Sequence, residues 1–221
     1  MAYNSGLTPN ERVVDVGEQE HSEWTGKRGR IGGLLLGNRL LRWGEELAFG
    51  RSISAVLKEV ASLINGDETI LDVGSGSGGL SIPLAKRLSS GQVICLDLSD
   101  EMLARLESRA QKAGLERRIK IVRAPASQTG LEADSVDFAV SNNVFHELDK
   151  PKQTLAEQLK VLKTGGHLII SDFRPTRLVS LMEKSHRPYE AEEIESLLNQ
   201  AGFKNIEIRP NRHRFLAYAR K

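Results

Sequence analysis

Between Thr69 and Phe173, short apolar runs alternate with segments of helical spacing, and this constrains the fold more than any other feature of the chain. The runs are "TILDV", "QVICLDL", "IKIVRA", "VDFAVSN" and "HLIISDF". Their near-continuous apolar character suits strands buried on both faces, as in a parallel sheet. Ahead of them, "SISAVLKEVASLI" places Ile53, Val56, Leu57, Val60 and Ile64 on one helical face. "LSIPLAKRL" reads as a helix if Pro83 sits in its first turn. Ser99, Asp100 and Glu101 open a helix through Ala113, with a capping hydroxyl, first-turn acids and Gly114 as its stop. Pro151 opens "KQTLAEQLKVL", and "KTGG" is expected to turn that helix into the fifth strand. "EAEEIESLLNQAGF" is a last helix, ended by Gly202. The final runs, "KNIEIRP" and "RFLAYARK", alternate more and have no helix between them. The expectation is an α/β doubly wound sheet of about seven strands, mostly parallel, with one antiparallel strand near the C-terminus.

Ligands of such sheets sit at the carboxyl ends of the strands, where the winding reverses. The loop after the first run, "GSGSGG", has Gly74, Gly76, Gly78 and Gly79. It satisfies GxGxG, and through Gly74, Gly76 and Gly79 also GxGxxG. It lacks the GK[ST] ending of a phosphate-binding P-loop. Two acids bear on the choice. Asp72, expected at the strand tip beside a helix N-terminus, would repel a pyrophosphate. It suits a ligand with an ammonium and a sulfonium, as S-adenosylmethionine has. Asp97 ends the second run and suits two ribose hydroxyls, which NAD would also present.

The chain has 221 residues, 39% of them apolar, enough for one α/β domain with a full core and a small appendage. The formal net charge is +2, against a general polyanion binder. Basic residues gather at 27–51 and 204–221. The single cysteine, Cys95, allows no internal disulfide and no cysteine metal site, which fits a cytoplasmic location. No apolar run approaches the ~20 residues of a membrane span, and the N-terminus lacks the charged-then-apolar pattern of a secretory signal. His167, His186 and His213 are scattered without ligand spacing, so no metal is expected. Residues 1–52 read as an appendage without a strand signal, and 53–221 as the main domain. Segment 27–51, glycine-interrupted and basic, suits a cap over the ligand first, a packing extension second and peripheral contact with an anionic membrane third.

"ILDVGSGSGG", "VICLDLSDEML", "SVDFAVSNNVFHEL" and "VLKTGGHLIISDF" resemble the four successive motifs of class I S-adenosylmethionine-dependent methyltransferases. The likeness is greatest to the small-molecule branch of ubiquinone/menaquinone C-methyltransferase-like proteins, and it covers about residues 53–221. It implies a Rossmann-like fold, S-adenosylmethionine as cofactor and S-adenosylhomocysteine as product. It also implies that Asp72 and the backbone of Gly74, Ser75, Gly76 and Gly78 hold the methionine part. Asp97 would bind the ribose, Leu98 and Met102 would flank the adenine, and Asn142 would lie beside the methionine moiety and the acceptor. Where the family often has an adenine-binding acid, this chain has Pro125, so the Ala126 backbone and the Ser127 hydroxyl would substitute. In "SNNVFHELDKP", His146 is the first candidate general base, and a loop residue without chemistry is the alternative. The implied partner is a small-molecule, quinone- or lipid-like acceptor. The loop lacks the Asn/Asp-Pro-Pro-aromatic signature of nucleic-acid amino-methylating enzymes. A catalytically silent cofactor binder and an NAD(P)-dependent oxidoreductase are the competing classes; no Tyr-Lys pair supports the latter.

Overall fold

A computed structural model of the chain describes residues 51–175, 188–211 and 213–221, together with the backbone of 13–15. Its strands are β1 (Val13–Asp15), β2 (Thr69–Val73), β3 (Gln92–Asp97), β4 (Ile119–Arg123), β5 (Val136–Asn142), β6 (Leu162–Phe173), β7 (Lys204–Pro210) and β8 (Arg214–Arg220). Its described helices are α1 (Arg51–Ala61), α2 (Ser81–Ala85), α3 (Asp100–Lys112), α4 (Pro151–Val161) and α5 (Ala191–Ala201). The strands form one sheet in the order β1-β4-β3-β2-β5-β6-β8-β7. All pairs from β1 to β6 are parallel, and β8 runs antiparallel to both its neighbours. The doubly wound sheet with one antiparallel strand is as the sequence implies.

Three details differ. The sheet has eight strands, because β1 adds to the free edge of β4, with Val13 opposite Ile121. A three-residue edge ladder is too short for periodicity to reveal. "KTGG" does not end the helix in a turn. Strand β6 starts at Leu162 and absorbs the glycines as an irregularity between the Val136 and Phe138 pairings. Helix α2 is only five residues long, with Pro83 at its centre.

Side chains of successive strand residues alternate between two apolar layers. Ile70, Val93, Cys95, Phe138, Val140 and Ile169 pack with Val56 and Val60 of α1 and Leu103 and Leu106 of α3. Leu71, Val73, Leu96, Ala139, Leu168 and Ile170 pack with Leu155 of α4 and Ile194 and Leu198 of α5. Helix α3 is capped by Ser99, whose hydroxyl accepts from the Met102 amide at 3.3 Å, and α5 ends at Gly202 with φ +101°. Winding reverses between β2 and β5, so the crevice at their carboxyl ends is framed by the glycine loop and the segment after Asn142. Among the described residues no helix is long and apolar enough to cross a membrane. Residues 27–50 of the segment read as a cap, most of the 1–52 appendage and His186 lie outside the described residues.

Candidate functional site

The glycine loop serves two kinds of neighbour. Gly74 has φ +68°, and a Cβ there would collide with the Val144 side chain of the loop after β5. Its small size therefore brings two protein loops together rather than a ligand and a loop. Gly76 has φ +51° with open space where a Cβ would stand, the room a ligand needs. A Cβ on Gly78 would lie 3.0 Å from Leu106 Cγ, so that glycine allows α3 to approach. Between them, the Ser75 amide donates to Leu96 O at 2.9 Å, tying the loop to β3. The Ser75 side chain is 6% exposed, and its hydroxyl has no hydrogen-bond partner among the described residues.

The two acids separate in role. Asp97 closes β3 under the loop, where Oδ2 accepts from the Gly76 amide at 2.8 Å and Oδ1 from the Ser99 amide at 2.9 Å. Burial raises its carboxyl pKa, opposed by those backbone donors. Each oxygen keeps lone-pair capacity for a further donor. Asp72 does not stand open at the strand tip, as the sequence suggested. It is 2% exposed, one residue below the end of β2, and its Oδ2 accepts from the Ser81 hydroxyl of α2 at 2.5 Å. Strand parity turns it into the helix-covered layer with Cys95.

Burial pushes the Asp72 carboxyl up to about 7, with the Ser81 hydrogen bond opposing and the Asp97 charge adding to the rise. An unfolded chain releases this proton at about pH 4. The folded state then holds an extra proton between roughly pH 4 and pH 7, so stability falls as pH rises through that window. Asp72→Asn keeps an acceptor for Ser81 and removes the ionisation. Its melting temperature relative to the natural protein is expected to be unchanged at about pH 4 and higher by several degrees at about pH 8. Identical pH slopes in thermal denaturation would contradict the buried-acid account.

Across the crevice, β5 ends at Asn142, whose Oδ1 is buried without a partner among the described residues. Asn143 follows with φ +62°, and its amide donates to Ser171 O at 2.9 Å. Phe145, 1% exposed, then anchors a 3₁₀ turn, Phe145–Glu147, in the core. That anchor carries His146 inward. His146 is 5% exposed and so not a surface residue. Its Nδ1 lies 2.7 Å from Asp172 Oδ1, and its amide donates to Asp172 Oδ2 at 2.9 Å. Nε2 lies 3.6 Å from Glu147 Oε1. Asp172, near the end of β6, is the residue that sequence reading passed over; its one signal was an acid closing the apolar run "HLIISDF". Arg214, which opens β8, was missed as well. It is 6% exposed and lies over the Phe173 ring.

Beyond β3, Leu98 is half-buried, and Met102, on the first turn of α3, is buried. Pro125 is buried, and its carbonyl accepts from the Gln128 amide at 3.0 Å, forming a turn that places Ala126 and Ser127, both half-buried, beyond β4. Among the described residues no group of three His, Cys, Asp or Glu side chains could hold a metal ion.

A family model described as a methyltransferase domain matches residues 71–170. The chain is similar to a demethylmenaquinone methyltransferase of Bacteroides fragilis, 33% identical over 108 residues that cover 47% of this chain and 42% of that protein. It is also similar to a malonyl-[acyl-carrier protein] O-methyltransferase of Geobacter sulfurreducens, 27% identical over 154 residues covering 63% and 57% respectively. The chain thus spans about half the length of the curated relatives it matches. A solved structure of a SAM-dependent methyltransferase from Aquifex aeolicus superposes with a TM-score of 0.63 and 29% identity, covering 76% of this chain and 88% of that one.

Proposed function

We propose that this chain, which belongs to the class I S-adenosylmethionine-dependent methyltransferases, moves a methyl group to a small-molecule acceptor by in-line displacement. The observation that carries the reading is a pair of buried polar atoms without partners among the described residues, Ser75 Oγ in the loop after β2 and Asn142 Oδ1 at the end of β5, which frame the crevice. Buried polar groups are nearly always hydrogen-bonded, so such a pair calls for a polar ligand. When bound, S-adenosylmethionine supplies a methyl group already activated by its sulfonium, and S-adenosylhomocysteine is the product.

Each residue then has a task. Asp97 accepts the ribose hydroxyls on the lone pairs left by Gly76 and Ser99. Ser75 and Asn142 bond the methionine end. Leu98 and Met102 flank the adenine, with Ala126 and Ser127 at its edge. Asp72 holds α2 to the strand end through Ser81 and so supports the loop without reaching the ligand. His146 takes the acceptor's proton on Nε2 while Asp172 holds Nδ1. Alignment of donor and acceptor supplies much of the acceleration. The curated relatives are named for different acceptors, so the acceptor depends on this chain's own pocket. A quinone- or lipid-like compound is the favoured class, and a cytoplasmic setting suits the reduced Cys95.

Mass spectrometry of ligand released from the purified protein is expected to find S-adenosylmethionine or S-adenosylhomocysteine. Calorimetry is expected to show binding of both and none of NAD. Acceptors are then screened by S-adenosylhomocysteine release. Tight NAD binding overturns the cofactor assignment, and cofactor binding without turnover on any acceptor leaves a silent binder.

A further inference from the structure

Strand β8 runs against its neighbours, so its first residue, not its last, reaches the carboxyl edge of the sheet where the crevice lies. That residue is Arg214, paired with Phe173 at the end of β6. Its guanidinium sits 4.3 Å from the centroid of the Phe173 ring, and Nη2 donates to Asn143 Oδ1. Nε and Nη1 are also buried, and neither has an acceptor among the described residues. The neighbouring acid does not fill that role. Asp172 Oδ1 accepts from Phe173 N at 2.7 Å and pairs with His146 Nδ1, while Oδ2 accepts from His146 N. Asp172 therefore lends Arg214 charge but no hydrogen bond. Burial pushes the guanidinium pKa down to about 10, with Asp172 opposing, so it stays a cation at neutral pH. A cation held only to lie on an aromatic ring uses its face, and its edge donors would ordinarily reach water or protein oxygens. Among the described residues these two donors meet no protein oxygen. The His146 ring meets the same Phe173 ring edge-on, with centroids 5.5 Å apart. Arg214 and the proposed base thus bracket one aromatic side chain.

We propose that Arg214 binds an anionic oxygen of the methyl acceptor, a carboxylate or phenolate-type oxygen, and so selects acidic acceptors. The proposal deepens the methyltransferase reading and rests on it. A guanidinium suits this task because it keeps its charge and presents several donors in one plane. Arg214 acts here as a binding residue, with Asn143 and Phe173 holding its orientation.

The test compares benzoate with benzamide, its neutral counterpart of similar shape, by calorimetry on the protein saturated with S-adenosylhomocysteine. Benzoate is expected to bind at least about ten-fold tighter, as loss of a charge-assisted contact implies. Arg214→Gln is expected to erase that preference while S-adenosylhomocysteine affinity stays within about two-fold; Arg214→Lys is expected to retain part of it. Equal binding of the two compounds by the natural protein overturns the proposal without any variant, and so does a preference that survives Arg214→Gln. If S-adenosylhomocysteine does not bind, the methyltransferase reading fails. The same titration without it still decides whether Arg214 selects anions.

Discussion

Asp97→Ala is expected to raise the dissociation constant for S-adenosylhomocysteine by about 100-fold or more. Two hydroxyl donors to a carboxylate contribute roughly 1.5–3 kcal/mol each, and each 1.4 kcal/mol is about ten-fold in affinity. The effect has a second source. Asp97 accepts from the Gly76 and Ser99 amides, so its removal also frees the glycine loop and the start of α3. Asp97→Asn separates the two. Asn offers one acceptor oxygen and a donor amide, so it weakens the loop tie and the ribose contact differently. Calorimetry with S-adenosylhomocysteine and with adenosine tells them apart. A ribose role weakens both ligands alike, whereas a loop role weakens chiefly the ligand whose methionine end lies against the loop. Unchanged affinity in Asp97→Ala would sink the ribose assignment.

Asp172→Asn is expected to lower kcat by about 100-fold while cofactor affinity stays within about two-fold. The reason lies in the hydrogen-bond inventory. Asp172 accepts three donors: His146 Nδ1–H, the His146 amide and the Phe173 amide. An asparagine has one acceptor oxygen and an amide group that donates. In one orientation that amide group faces the His146 backbone N–H; in the other it faces the Phe173 N–H and the His146 ring, which then accepts through Nδ1. That tautomer carries its proton on Nε2, where the acceptor's proton must go. His146→Ala removes the ring and is expected to abolish the acidic limb of the kcat–pH profile along with most of the turnover. A purely structural role for the pair predicts lower thermal stability with that limb intact. Such a result would return His146 to a packing residue.

Most of the local structure around the glycine loop was readable from residue order. "ILDVGSGSGG" implied a strand, a turn and a helix, and Ser99 implied the cap that the α3 start displays. The surroundings of the loop after β5 were not readable. His146 and Asp172 stand 26 positions apart and meet only because β5 and β6 are neighbours in the sheet. Arg214 meets Asn143 across 71 positions, and its arrival at the crevice depends on the reversed direction of β8. Nor did the pattern show which glycine faces a ligand, since Gly74 and Gly76 look alike in the text yet differ in what surrounds them.

The amino-acid order by itself determined the alternation of strands and helices from α1 onward, the winding of the sheet and the places of the glycine loop and Asp97. Those follow from local propensity, capping and periodicity, which act over a few neighbouring residues. Tertiary structure alone decided that Asp72 is buried beneath α2, that His146 is held by Asp172, and that Arg214 lies beside them with donors to spare. Burial and pairing between distant strands are set by how layers pack, and no short-range pattern records them.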